Sequence, residues 1–192
     1  MSVLLPGRNL VLIGLMGAGK STVGEILARR LGRPLVDTDE MVEAEAGKPI
    51  KEIFAEEGER GFRDRESLAI RRVSALRGQV VSVGGGALLE RANARDLRMT
   101  GDLVLLDAPA EVLSERLDVE GTAERPLLTD ADDLTERLAH LLAERRADYE
   151  RAAAYIVDTT GRDPEDIAEE ILDWARTRSG LLAREERDAL DR

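Results

Sequence analysis

Residues Asn9–Thr22 read NLVLIGLMGAGKST. The opening Leu-Val-Leu-Ile run has no polar interruption, as expected of a strand buried on both faces. Directly after it comes Gly14-x-x-x-x-Gly19-Lys20-Ser21, and a helical pattern continues from about Lys20 to Leu31. Strand, glycine-rich turn and helix in that order are the context a P-loop requires. Glycines let backbone N–H groups converge on phosphate oxygens, and the helix N-terminus adds a favourable dipole. Gly17, Ala18, Gly19, Lys20, Ser21 and Thr22 are therefore expected to bind a nucleoside triphosphate. Lys20 would reach the β- and γ-phosphates, and the Ser21 hydroxyl would ligate Mg²⁺.

Outward from this loop, short apolar segments alternate with longer helical ones. Pro34–Asp37, Gln79–Val83, Leu103–Asp107 and Ala154–Asp158 read as four further strands, and residues 50–76 as helices broken near Gly58 and Gly61. Five short strands separated by helices imply an α/β domain of three layers, with a parallel sheet covered on both faces. Residues 1–178 are expected to form a single catalytic domain. Val119–Asp133 lacks apolar periodicity and reads as a mobile loop, and residues 179–192 as a charged, loosely attached tail.

At 192 residues, with 43% hydrophobic and 35% charged residues, the chain has the composition of one soluble globular domain. No apolar run approaches the ~20 residues that span a bilayer. The start of the chain lacks the layout of a secretory signal, and there is no cysteine. A cytoplasmic location is the expectation, with no membrane partner. The net charge of −11 argues against nucleic-acid binding, which needs a basic face. Anionic ligands would have to be held by a few well-placed arginines against an adverse overall field.

Two carboxylates stand at one strand end, Asp37 and Asp39 in "LVDTD". If the strand continued through them, alternation would put both on one face, close enough to serve one site. Asp107 could close a Walker-B strand, but just before "APAEVL" it reads better as a helix cap. Arg63 and Glu66, three apart on a helix, share a face; by themselves they read as a surface ion pair. Gly84–Gly86 is a run of bare backbone after a strand, costly in conformational entropy. His140 reads as packing or surface, and Trp174 as packing.

These elements together resemble the shikimate kinases, small relatives of the nucleoside monophosphate kinases. The resemblance runs in order from Gly14 to about Pro164. It rests on the P-loop, "DTD" (37–39), "FRDRE" (62–66), the triple glycine, "RPLL" (125–128) and "ERRADYE" (144–150). It implies a P-loop kinase fold with a mobile lid at about 117–133, and transfer of the ATP γ-phosphoryl group to the 3-hydroxyl of shikimate. Asp39 would take or orient the reacting hydroxyl, and Asp37 would hold Mg²⁺ through water, with Ser82 nearby. Arg63, oriented by Glu66, and Arg145 would bind the substrate carboxylate, with Gly84, Gly85 and Gly86 as a pocket wall. Arg145 fits the family spacing to Tyr149 better than its neighbour Arg146. Arg125 would close on the transferring phosphoryl group. Arg162 would shape the adenine pocket, and Arg116 aligns loosely with an adenine-covering arginine. The resemblance also implies a monomer.

Another small-molecule P-loop kinase, such as a gluconate or nucleotide kinase, shares the P-loop and lid. A nucleotide kinase should offer base-reading side chains in place of the triple glycine. A GTPase is disfavoured by the missing N-K-x-D signature, and a silent binding domain by the full set of charged residues.

Overall fold

The computed structural model describes residues 7–120 and 133–191. Five parallel strands form the sheet among these residues: β1 (Asn9–Ile13), β2 (Leu35–Asp37), β3 (Val80–Ser82), β4 (Gly101–Asp107) and β5 (Tyr155–Asp158), in the order β2-β3-β1-β4-β5. All five residues of the central β1 are buried, which its unbroken apolar sequence foretells. Helices are α1 (Lys20–Leu31), α2 (Thr38–Ala46), α3 (Ile50–Ser74), α4 (Arg91–Thr100), α5 (Ala110–Glu120), α6 (Leu134–Ala152), α7 (Pro164–Thr177) and α8 (Arg184–Leu190). The sheet separates two apolar layers. One gathers Leu10, Leu12, Leu27, Leu113, Leu141 and Ile171; the other gathers Val11, Ile13, Ile70, Leu97 and Tyr149. Both faces are covered, as expected of a three-layer domain. No helix among the described residues is long and apolar enough to cross a membrane.

The chain departs from the sequence reading at several places. The strand does not continue through Asp39: β2 stops at Asp37, and α2 begins at Thr38. Asp37 is its N-cap, its Oδ1 accepting from the N–H groups of Asp39 (2.8 Å) and Glu40 (3.4 Å). Asp107 caps nothing, because α5 starts three residues later. Its carboxylate instead faces Arg146 at 3.3 Å. Within α3 only Gly58 leaves helical geometry (φ 70°, ψ 180°), and Gly61 stays helical.

The C-terminal segment is not loosely attached over its described part. Leu181 and Leu182 are buried in the first apolar layer, and α8 follows them. Burying each leucine contributes about 1.5–3 kcal/mol. The segment also satisfies a buried cation: Arg33, 6% exposed, donates to both Glu186 carboxylate oxygens at 2.7 Å and to the Leu181 carbonyl at 2.7 Å. The charged composition of the segment concealed these two leucines. Residues 121–132 of the expected lid, Arg125 among them, fall outside the described residues.

Candidate active site

A cleft of about 520 Å³ opens at the carboxyl ends of β1, β2 and β3. Open α/β sheets bind ligands there. Gly17, Gly19, Lys20, Ser21 and Thr22 line it, together with Asp37, Asp39, Arg63, Glu66, Ser82, Gly84–Gly86 and Arg145. Nearly every residue expected in the site thus meets in one cavity. Ala18 does not: it is buried, and its N–H donates to the Leu15 carbonyl at 3.2 Å. The Lys20 ammonium folds over the loop and donates to the carbonyls of Gly14 (3.0 Å) and Leu15 (3.1 Å).

Several of the cleft's charges are deeply set. Glu66 is 1% exposed, so its contact with Arg63 (Nη1 to Oε2, 2.8 Å) is no surface ion pair. Arg63 also reaches Glu59 at 3.2 Å. The Oε1 of Glu66 and Oδ1 of Asp39 are buried without hydrogen-bond partners. Burial pushes the Asp39 carboxyl up to about 6, helped by Asp37 and opposed by Lys20 and Arg63. Burial likewise pushes Glu66 up to about 7, with Arg63 pulling it down. Arg145 is 3% exposed, and its Nε and Nη1 have no partner. Arg146 turns outward to Asp107 and Glu150.

The triple glycine ties these parts together. A Cβ on Gly84 would stand 2.6 Å from both Asp39 Oδ1 and Glu66 Oε1, and one on Gly86 would overlap the Arg63 guanidinium. Thr38, the middle residue of "DTD", accepts from the Gly84 N–H at 3.1 Å and is fully buried. Its role was invisible in the sequence, because nothing in a strand-end threonine announces a long-range acceptor. Ser82 is buried beside Asp37, its partner in the β2–β3 register.

Two arginines lie elsewhere. Arg162 is held by Glu170 (2.6 Å) and the Asp158 carbonyl (3.1 Å), outside the cleft lining. Arg116 bonds the Gly17 carbonyl (3.2 Å) and Thr159 (2.6 Å to its carbonyl), clasping the P-loop to the loop after β5. Trp174 stacks on Tyr155 at 5.0 Å, and His140 pairs with Glu144 on the exposed face of α6.

The shikimate kinase family model matches residues 16–176. The chain belongs to the shikimate kinase family. A shikimate kinase from Symbiobacterium thermophilum is 47% identical over 170 residues, which cover 88% of this chain and 97% of the relative. One from Geobacter sulfurreducens is 45% identical over 176 residues, covering 92% and 95%. Among solved structures, a shikimate kinase from Acinetobacter baumannii in complex with shikimate superposes with a TM-score of 0.85. It is 35% identical, with 90% of this chain and 94% of that one covered. This shikimate kinase family member is accordingly an enzyme that phosphorylates shikimate, in an ATP-dependent family. The gluconate kinase and silent-domain readings are not favoured.

Proposed function

We propose that the cleft transfers the γ-phosphoryl group of ATP to the 3-hydroxyl of shikimate, with Asp39 at the reacting oxygen. The observation that carries this reading is Arg145. A buried guanidinium with two unpartnered donors is costly until an anion arrives, and a carboxylate matches its fork. Arg63 stands across the same cleft as the second carboxylate ligand, with Gly84–Gly86 as the wall between. As the substrate oxygen bonds to the γ-phosphorus, the bond from that phosphorus to the β-bridging oxygen breaks and ADP leaves. The hydroxyl proton passes to Asp39. Phosphoryl transfer runs through a loose transition state, so aligning the hydroxyl matters as much as removing its proton.

The N–H groups of the P-loop, Lys20, Ser21 and Thr22 hold the triphosphate. Ser21 and Asp37 are the residues suited to Mg²⁺, which would neutralise charge between the β- and γ-phosphates. The donor set offered is one serine hydroxyl and one carboxylate, both lining the cleft. Mg²⁺ typically keeps its waters and takes one or two protein ligands beside the phosphates. Asp37 spends Oδ1 on the α2 cap, which leaves Oδ2 for a metal-bound water. Arg125, outside the described residues, is assigned to the phosphoryl group, and Arg162 to shaping the loop beside adenine. We take the enzyme to act as a cytoplasmic monomer.

The test is an ADP-release assay with shikimate, gluconate and nucleoside monophosphates as acceptors, with and without Mg²⁺. Turnover with shikimate alone, lost on chelation, is the expected outcome. Turnover with gluconate and none with shikimate would overturn the reading.

A further inference from the structure

The hydrogen bonds of the triple glycine can be accounted for group by group. The Gly84 N–H donates to Thr38 Oγ1, the Gly84 carbonyl accepts from the Ala87 N–H (3.0 Å), and the Gly86 carbonyl accepts from the Leu89 N–H (3.1 Å). The Gly85 carbonyl accepts from the Tyr149 hydroxyl. Every carbonyl of the run is therefore engaged. The Gly85 and Gly86 N–H groups donate to no protein acceptor among the described residues. Gly86 is buried and Gly85 half-buried, and buried backbone donors are rarely left unpaired, so these two are the ones a ligand can use.

One of these bonds differs in kind. The other two carbonyls are held by the chain's own next turn, within three residues. The Gly85 carbonyl is held by a side chain 64 residues away, on α6. That carbonyl and the Gly86 N–H belong to one trans peptide and point in opposite directions. Whatever grips the carbonyl therefore sets the direction of the N–H. Glycines on both sides of the peptide supply no steric preference of their own, since each can adopt a wide range of backbone angles.

We propose that Tyr149 is a positioning residue. By donating to the Gly85 carbonyl from behind the loop, it fixes the Gly85–Gly86 peptide so that the Gly86 N–H faces the bound substrate's oxygens. Tyr149 is well placed for this. Its ring is 3% exposed and packs in the second apolar layer beside Ala87 and Leu88, so the hydroxyl has little freedom. Burial also holds its hydroxyl up to about 12, so it remains a donor throughout the working range. The same helix carries Arg145 one turn earlier, so α6 sets a charged ligand and a backbone donor against the substrate together. The proposal rests on the reading of the cleft as a shikimate site.

Tyr149→Phe removes the hydroxyl and keeps the packing ring. The hydroxyl also contacts the Arg145 side chain, so the shikimate KM should rise by at least about three- to tenfold. The Gly86 amide is the readout that separates the peptide from Arg145. The ATP KM and kcat should stay within about twofold of the parent. In glycine-labelled protein without ligand, the Gly86 amide should be a single sharp resonance in the parent and exchange-broadened or shifted in the variant. Equal losses for ATP and shikimate would overturn the proposal, because a purely structural tyrosine acts on both. So would an unchanged shikimate KM, or a Gly86 amide already in exchange in the parent enzyme. That last measurement needs no variant to fold. Failure of the substrate reading would show separately, as a parent enzyme that does not turn over shikimate while its Gly86 amide still responds to Tyr149→Phe.

Discussion

In the loop after β1, Gly14, Gly17 and Gly19 hold φ angles of 138°, 79° and 91°. In the loop after β3, none of Gly84, Gly85 and Gly86 adopts a left-handed backbone. The first loop needs glycine at all three positions for its conformation, which residues with a Cβ reach only at a steric penalty. At Gly14 it needs glycine for space as well, since a Cβ there would overlap the Leu106 carbonyl oxygen. The second needs it for space: Gly84 and Gly86 make room for Asp39, Glu66 and Arg63, the side chains that carry the site's charge. One residue type thus serves backbone conformation in one loop and side-chain space in the other. The two uses predict different symptoms when a methyl group is added.

Gly84→Ala should have the largest effect. Its methyl would stand 2.6 Å from two carboxylate oxygens that are both buried, so both must move. Displacing a reacting group by about 1 Å costs roughly a hundredfold, so kcat/KM for shikimate should fall by about that factor. The ATP affinity should hold, because the P-loop is untouched. A calorimetric titration with nucleotide beside steady-state kinetics checks both halves. Equal loss of nucleotide binding would mean that the wall also shapes the phosphate site, and the contrast between the loops would break.

The pH dependence sharpens the same point, because the space beside Gly84 is filled by carboxylates that burial holds near 6 and 7. The free enzyme's ionisations govern kcat/KM. With Asp39 as acceptor, kcat/KM for shikimate should fall about tenfold per unit as pH drops below about 6. Stability should respond in the opposite sense. The unfolded carboxyls release protons near their ordinary values of 3.8 and 4.5, whereas the folded ones keep them to about 6 and 7. The folded state therefore binds more protons over that interval, and the contribution of these two groups to stability falls as pH rises through it. Thermal melts of parent and Glu66→Gln should diverge between these limits, the variant losing less as pH rises. Parallel melting curves would remove Glu66 from this account.

The sequence reading of the sheet held because apolar runs bounded by turns announce buried strands. The P-loop was legible because its chemistry is local. The charged end of the cleft was legible through the resemblance, and its physical state was not. Helical spacing gives Arg63 and Glu66 a shared face, but only tertiary packing makes Glu66 1% exposed. "DTD" misled for a similar reason: a three-residue strand gives alternation too little length to assert itself, and the Asp37 cap turns the chain into α2. Thr38 and Tyr149 contact the triple glycine across 46 and 64 residues, and no local pattern encodes such pairings. At the C-terminus, two leucines and a partner for the buried Arg33 dock a segment whose charged composition suggested no attachment.

The smallest effects come from a matched pair, Gly19→Ala and Gly85→Ala. A Cβ on Gly19 would have nothing within 4 Å, but the residue holds a φ of 91°, so the methyl fits and the backbone does not. Gly85 is the reverse case. Its backbone is not left-handed, and the nearest atoms, the Gly14 carbonyl oxygen and Arg145 Nη1, lie at 3.5 and 3.6 Å, ordinary contact distances. Gly19→Ala should lose about 1–2 kcal/mol to left-handed strain. That corresponds to roughly 2–8 °C in melting temperature for a chain of this size. Gly85→Ala should melt at or slightly above the parent, since alanine narrows the unfolded ensemble by about 0.4–1 kcal/mol. Its kinetic signature should fall on shikimate alone, a few-fold in KM, because the methyl sits beside the Arg145 guanidinium. If Gly85→Ala destabilised the fold as much as Gly19→Ala, the triple glycine would owe its composition to conformation after all, and the distinction between the loops would not stand.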